Sequence, residues 1–460
     1  MITIIARRDF LGFLRDGRLP WVGRLALLLL LSSIVVCWRQ HSEATAEREA
    51  AQSKGYETWV GQGRKNPHSA AHLGIYVFKP EISLALFDPG LEPYLGATVL
   101  LEAHRQHHFK FRPAQDATGL RRFGDLSAAW VLQIIAPLIV VLIGFDSFAG
   151  EREKGTLRQL ASLGVPACHL LWGKAAAIAA GLGGLLAPAV VLLSAALFCS
   201  AGDGELGDSL CRLFWLALGY GLYLGIFVFL ALAVSATATS ARGALIVLLA
   251  IWIGAAIVVP RAASEISYSW LPTPSRFAFD AALFSDLSEA YREALEENFH
   301  VRLAQDVPIE EAGRALQIED HAGYAVFDAH YDALWDIYER QQRAQEWFSL
   351  ASPLIALRGV SMAMAGTDLA YQRDFSAAAE RHRRLIQDLM SDDRIAHGGA
   401  EGYNYQADPE LWRKVPPFVY SIPRGEWALA RCSRNFGMLT IAFILSLLSA
   451  VVATRRLRPI

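Results

Sequence analysis

Residues 128–174 read AAWVLQIIAPLIVVLIGFDSFAGEREKGTLRQLASLGVPACHLLWGK. The first part, residues 128–148, is nearly all apolar and is long enough for a bilayer-crossing helix, which needs about 20 residues. Pro137 is tolerable within it, because neighbouring helices can satisfy the freed backbone groups. The charged cluster Glu151 to Lys154 interrupts the apolar run, and Lys174 opens another one. This alternation predicts a membrane-spanning helix, a polar loop at the membrane surface and a second span.

The whole chain has the composition of a membrane protein. It has 460 residues, of which 53% are hydrophobic and 19% charged, and its mean hydropathy is +0.27. Soluble domains are typically about one quarter charged. A formal net charge of -2 gives no reason to expect nucleic acid as a partner. Six apolar stretches are long enough, or nearly so, to cross a bilayer: 22–38, 128–148, 174–199, 210–234, 243–260 and 436–453.

Arginine and lysine near the ends of the spans predict the orientation, since cytoplasmic loops carry an excess of both. With six spans, the four basic segments fall on one side, which is expected to be the cytoplasm. These segments are the N-terminal tail (Arg7, Arg8, Arg15, Arg18, Arg24), the loop after span 2 (Arg152, Lys154, Arg158), the loop after span 4 (Arg242) and the C-terminal tail (Arg455, Arg456, Arg458).

The N-terminus allows two interpretations. Residues 25–37 could be the core of a signal peptide, with Ala44-Thr45-Ala46 as its cleavage site. However, residues 2–18 mix apolar side chains with arginines, a pattern typical of an amphipathic helix on the inner membrane surface. We therefore expect residues 1–38 to form an interfacial helix and an uncleaved first span.

Two long segments are expected on the outer, periplasmic side. Residues 39–127 have mixed composition, whereas residues 261–434 are mostly helical in pattern, and 435–460 return as span 6 and a basic tail. A second outer helix is predicted over 368–389, with Thr367 or Asp368 as its cap. An aromatic stripe at spacings of three and four predicts a long helix that packs on a neighbour or binds an aromatic ligand: Tyr324, Phe327, Tyr331, Leu334 and Tyr338.

The loop after span 2 predicts a short amphipathic helix along the inner membrane face, within about 150–166. Leucines alternate with polar residues there, and Pro166 ends the pattern. Gly155 is expected to permit the turn into this helix. Such an element can dock a soluble partner and pass its motion to the spans on either side.

This loop resembles the corresponding region of ABC-2 type permeases, the membrane subunits of a class of ATP-binding cassette exporters. The matching features are Glu151-Arg152-Glu153, Gly155-Thr156-Leu157 and Gly173-Lys174, together with the six-span plan. Residues 352–375, SPLIALRGVSMAMAGTDLAYQRDF, resemble the subgroup with large periplasmic insertions after spans 1 and 5. The resemblance covers essentially the whole chain. Compact members have short outer loops, however, so the cargo that they carry does not indicate the cargo of this chain.

The resemblance implies an all-α integral membrane protein with two largely helical extracytoplasmic insertions, in a bacterial inner membrane, with both termini cytoplasmic. It implies a cytoplasmic ATPase subunit and a second permease subunit, identical or paralogous, as partners. The residues that it implies for coupling to the ATPase are Glu151, Glu153, Gly155, Thr156, Leu157 and Leu160. The two carboxylates are expected to pair with basic groups of the ATPase.

The chain is not expected to hydrolyse ATP itself. A phosphate-binding loop requires G-x-x-x-x-G-K-[ST]; Gly150 and Gly155 have the spacing, but Thr156 stands where lysine is needed. We therefore expect no cofactor on this chain, with ATP and Mg²⁺ held by the partner ATPase.

Other features leave alternatives open. His104, His107 and His108, with Glu102 nearby, could bind zinc or copper, although a surface cluster without metal is the simpler expectation. Asp146 is expected to face water at the inner interface, and Arg212 to extend towards the outer one. Cysteines 199, 211 and 432 could approach one another, but the sequence does not establish a disulfide.

Two other classes of function are compatible with this sequence. One is a membrane-anchored sensor or scaffold whose periplasmic segments bind a ligand without transport. The other is a membrane-embedded enzyme that uses a metal at His104, His107 and His108. A G-x-x-x-G pair at Gly221 and Gly225 further indicates close packing of span 4 on another helix.

Overall fold

The computed structural model describes residues 1–110, 112, 126–200 and 206–457. Arg458 of the predicted basic tail lies outside the described residues. The α-helices of the described residues are α1 (Ile2–Arg15), α2 (Arg18–Val60), α3 (Pro67–Leu73), α4 (Glu92–Leu95), α5 (Ala128–Glu153), α6 (Thr156–Ser162), α7 (Ala167–Ser200), α8 (Leu206–Thr237), α9 (Ala241–Trp270), α10 (Arg276–Phe299), α11 (Ala312–Glu346), α12 (Pro353–Ala365), α13 (Leu369–His397), α14 (Glu410–Lys414) and α15 (Gly425–Arg455). Helices α5 and α9 each contain an internal π-helical turn.

Short 3-10 helices complete the helical part, and one small sheet interrupts it. The 3-10 segments are Ser83–Leu86, Ala304–Asp306, Ile309–Glu311, Trp347–Leu350 and Gly399–Asn404. Strands β1 (Ile75–Phe78), β2 (Thr98–Glu102) and β3 (Arg105–Gln106) form an antiparallel sheet in the order β1-β2-β3. The predicted all-α class is therefore confirmed as the dominant architecture, with this sheet as an addition.

Six helices are long and apolar enough to cross a membrane, which confirms the predicted number within the described residues. They are α2, α5, α7, α8, α9 and α15. Most of their buried apolar side chains belong to one hydrophobic cluster. We call the end of this bundle that carries residues 150–166 the linker end, and the opposite end the domain end.

The first of these six apolar helices is much longer than the apolar run predicted. With 43 residues, α2 is about 65 Å long, roughly twice the hydrocarbon thickness of a bilayer. Its second half contains no proline, and the helix continues through Gly55 to Val60. Near its end Trp59 donates a hydrogen bond to the Trp412 carbonyl at 3.0 Å. Residues 39–60 thus extend the spanning helix into the domain-end part of the protein.

Helix α12 also lies elsewhere than expected. Within the predicted outer segment 261–434, it packs between α8 and α15, and Leu357, Val360 and Met364 are fully buried in the core of the bundle. Pro353 at its first turn and Gly366, with φ 69°, at its end bound this short helix. The second outer segment is therefore not separate from the spans.

Among the described residues, the domain end contains three further hydrophobic clusters. Helix α13 begins as predicted at Asp368, whose Oδ1 accepts the Tyr371 N–H at 3.0 Å, but it continues to His397. In the aromatic stripe on α11, Phe327 and Tyr331 pack against Phe279 of α10. Packing on a neighbouring helix is thus the role that the structure supports for these two residues.

Candidate functional site

The polar linker after α5 forms a tight turn and a short helix. Gly155 adopts φ 72°, and no atom lies near the position that a Cβ would occupy there. A non-glycine residue pays a steric cost in this left-handed conformation, which explains the glycine. The predicted helix over 150–166 is divided by this turn, because α5 ends at Glu153 and α6 covers only Thr156–Ser162.

Helix α6 has one face against the bundle and one in solvent. Leu157 is buried and Leu160 is half-buried in the main hydrophobic cluster. Thr156 donates its hydroxyl to the Glu151 carbonyl at 3.2 Å, across the turn. The solvent-exposed face carries Lys154, Arg158, Gln159, Ser162 and Leu163. We call these five residues the linker face; its Leu163 is 79% exposed.

Glu151 lies inside an ionic network rather than on the linker face. Its Oε1 is 3.0 Å from the Lys174 ammonium of α7 and 3.4 Å from Arg8 of α1. Lys174, with only 3% of its side chain exposed, also binds Asp9 of α1 at 3.1 Å. A buried ammonium between two carboxylates is compensated in charge. Glu151 therefore joins the linker to α1 and α7, and its expected pairing with an ATPase stays a prediction.

Arg152 and Glu153 join the linker to two other helices. The Arg152 guanidinium donates to the carbonyls of Ala236, at 2.7 Å, and Ala238 at the end of α8. Glu153 accepts the Ala241 N–H at 3.0 Å, at the start of α9. Positive charge at a helix C-terminus and negative charge at an N-terminus both favour the helix dipoles. The linker is thus bound to α1 and α7 and to the ends of α8 and α9.

The predicted basic segments gather at the linker end. A groove of about 970 Å³ lies between the linker, the α8–α9 turn and the end of α15, and its lining includes Arg152, Thr237 and Arg456. Helix α1 is held there through Asp9 and Lys174. The four segments therefore share one end of the bundle, as the sequence predicted.

At the domain end, a cavity of about 810 Å³ lies between α11, α12 and the spans. One wall carries Tyr331, Trp335 and Tyr338 of α11, and the other carries polar groups that include Gln133 and Arg358. These three aromatic side chains line the cavity, and Tyr331 also packs against Phe279 of α10. Gln133 was not among the predicted site residues, although an amide in the apolar run 128–148 is a signal of a functional position.

A hydrogen-bond network runs from this cavity into the bundle. Gln133 of α5 donates to the Tyr220 hydroxyl of α8 at 3.1 Å, and Tyr220 shares a hydrogen bond with Ser361 of α12 at 3.1 Å. Ser361 donates to the Asp88 carboxylate, and Arg358 donates to Gln133 at 3.3 Å. Burial raises the pKa of Asp88 above its ordinary value. The network couples two spans to α12 and to the segment before α4.

The three histidines of the predicted cluster each pair with a different carboxylate. His104 pairs with Asp320 at 2.9 Å, His107 with Glu102 at 2.6 Å, and His108 with Asp280 at 3.4 Å. Among the described residues, the group of side chains close enough to hold one metal ion combines His104 with His68 and His72 instead.

His68 and His72 were missed, although their spacing of four on a helix could have indicated them. Burial lowers the pKa of His68 to about 4, assisted by the charges of His104, His72 and Arg394 and opposed by that of Asp320.

Asp146 is partly buried and binds Arg18 at 2.9 Å. The prediction that Arg212 extends towards an interface is wrong, because its side chain is fully buried and donates to the carbonyls of Met364, at 3.3 Å, and Pro423, at 2.6 Å. The cysteines considered for a disulfide all have free thiols: Cys199, Cys211 and Cys432.

Comparison with known proteins adds one match. Residues 280–421 match a family described as a domain of unknown function (DUF3526). The match begins within α10 and ends shortly before α15, so it lies in the domain-end segment and includes α12. No curated protein matches the chain.

Proposed function

We propose that this chain is the membrane permease subunit of an ABC-2 type transporter in a bacterial inner membrane. A separate cytoplasmic ATPase powers it, and a second permease subunit completes the pathway. The six apolar helices and the resemblance of residues 144–174 to these permeases support the proposal. The linker end, with both termini, then faces the cytoplasm, as its basic residues favour.

The geometry of the linker carries this proposal. Its inner side is bonded to α1, α7, α8 and α9 through Glu151, Arg152 and Glu153. Its exposed linker face presents two cations and Leu163 to the solvent. A force applied to the linker face is therefore transmitted through hydrogen bonds and ion pairs to four helices at once. This is what an ATPase-coupling element requires.

We propose that the cargo binds in the cavity at the domain end or is released through it. Its polar network joins α5, α8 and α12, so a shift of either span would change the cavity. Pockets with an aromatic wall and a few placed polar groups are typical of binding sites.

Two native cysteines test the orientation. Cys168 and Cys199 are both exposed and lie near opposite ends of α7, roughly 45 Å apart along the helix. In intact cells, a membrane-impermeant maleimide should label a variant that retains only Cys199. A variant in which Cys168 is the single remaining cysteine should be labelled only after the cells are lysed. The reverse pattern would refute the orientation and with it the role of the linker.

Coupling is tested on the linker face. We expect Arg158→Glu with Leu163→Glu to abolish co-purification with the cassette ATPase that the native chain retains, and to remove permease-dependent ATP hydrolysis. Arg261→Glu is the matched control, since Arg261 is 80% exposed but lies towards the domain end of α9. Unchanged ATPase binding and hydrolysis in the linker-face variant would refute the assignment.

A further inference from the structure

Three histidine rings from two separate stretches of the chain meet beside the small sheet. The ring centroids of His68 and His72 are 4.6 Å apart, those of His68 and His104 are 5.0 Å apart, and those of His72 and His104 are 5.4 Å apart. One ring nitrogen of each lies within 4.8 Å of the others. The triangle is compact enough to surround a single ion.

The first two rings are placed by α3. Asn66 caps this helix by accepting the N–H groups of His68, at 2.9 Å, and Ser69, at 3.4 Å, and Pro67 occupies its first turn. The spacing of four then puts His68 and His72 on one face of the helix. Their Nε2 atoms are 3.2 Å apart.

The third ring is placed by the turn between β2 and β3. His104 has φ 59°, a left-handed conformation that costs free energy for a residue with a Cβ. Strained conformations of this kind cluster at ligand-holding positions. The turn directs the ring towards His68 and His72.

A buried carboxylate orients the His104 ring, and a second carboxylate lies near His72. His104 Nδ1 is 2.9 Å from Asp320 of α11, which is itself only 4% exposed, and His72 Nδ1 is 3.6 Å from Glu102. A carboxylate on Nδ1 keeps the proton there and leaves Nε2 as the donor of a lone pair. Metal-ligating histidines are held in this way in known sites.

We propose that His68, His72 and His104 form a binding site for a divalent zinc-type metal ion, with Nε2 of each ring as ligand and a fourth position open to solvent. Zn–N bonds of about 2.0–2.1 Å in tetrahedral geometry place two ligand nitrogens roughly 3.4 Å apart. The observed 3.2 Å between His68 and His72 is close to this separation. His72 is exposed, so the ion has a route to the site.

The site does not depend on the proposed transport function. It would connect α3 and the β2–β3 turn to α11 through Asp320, whose second carboxylate oxygen is buried without a hydrogen-bond partner. The competing interpretation is that the neutral imidazoles of His68 and His72 share a hydrogen bond and that His104 only packs against them. The two interpretations differ in metal stoichiometry and affinity.

The test uses the full chain in detergent, purified with a tag that contains no histidine. Zinc titration followed by calorimetry should give one zinc ion per chain. The variants His68→Ala, His72→Ala and His104→Asn should each lose more than the roughly 10- to 100-fold affinity expected for Asp320→Asn, which removes only an orienting carboxylate. Asparagine at 104 tolerates the left-handed turn, which protects the fold.

The control is His108→Ala, a neighbouring histidine outside the triangle, which should keep native zinc affinity. Cobalt substitution should give the absorption of tetrahedral imidazole ligation, without the thiolate charge-transfer band that the exposed Cys168 or Cys199 would produce. Size-exclusion profiles and metal-free melting temperatures identify any variant that misfolds. No saturable zinc binding, equal affinity in the three ligand variants and the native chain, or a thiolate band would each overturn the proposal.

Discussion

Lys174→Met tests whether the buried ionic network anchors the linker. The Lys174 ammonium lies 3.0 Å from Glu151 and 3.1 Å from Asp9, with 3% of the side chain exposed. Methionine keeps most of the volume but removes the charge, so two carboxylates are left facing each other with little water. Breaking a buried ion pair by removing one partner typically costs about 3–5 kcal/mol. Arg8 still reaches Glu151, so we expect the lower part of that range.

Chemical unfolding in mild detergent, followed by the fluorescence of the 12 tryptophans, measures this loss. Adding Glu151→Gln to Lys174→Met should cost less than the sum of the single changes, because the double variant no longer buries that unpaired carboxylate. The control is Arg39→Met, which removes an ion pair with Glu43 that is fully exposed and therefore contributes little to stability. If Lys174→Met were no more destabilising than Arg39→Met, the anchoring role of the network would be refuted.

Three further predictions concern packing, pH and a buried cation. Gly225→Ala should destabilise the chain by about 1–3 kcal/mol in the same unfolding assay, because its Cβ would lie 2.6 Å from Phe443, whereas Gly221→Ala, facing open space, should be neutral or slightly stabilising. Burial opposes ionisation of Glu81, but the hydrogen bond from His41 and the charge of Arg48 outweigh it and lower the pKa to about 2 from 4.5. Stability of about 3 kcal/mol is thus present above pH 4.5 and lost as the pH falls towards 2, and Glu81→Gln should flatten this part of an acid-unfolding curve. Arg212→Met should cost about 1–3 kcal/mol, because it removes the side-chain donor from the buried Met364 carbonyl and one of the two donors from the Pro423 carbonyl, which keeps the Tyr371 hydroxyl. Asp208→Asn, on a partly exposed partner, should cost less than half as much, and equal losses would contradict this explanation.

Features that depend on neighbours along the chain were predictable from the sequence. Each of the six spanning helices contains a local apolar run, since a bilayer-crossing helix satisfies its own backbone and must be apolar over about 20 residues. The start of α13 at Asp368 is also local, because the cap and the N–H groups that it accepts lie within three residues. The turn at Gly155 follows from the backbone freedom of that residue alone.

Only the tertiary structure decided which distant residues became partners. Hydropathy assigned α12 to the outer segment, but its apolar faces are buried between α8 and α15, and Arg212 is buried because backbone carbonyls of two later segments accept its hydrogen bonds. His104 joins His68 and His72 rather than its sequence neighbours, since the hairpin turn and α3 direct those rings to one point. Such pairings depend on positions in space, and they cannot be predicted from the spacing of residues along the chain.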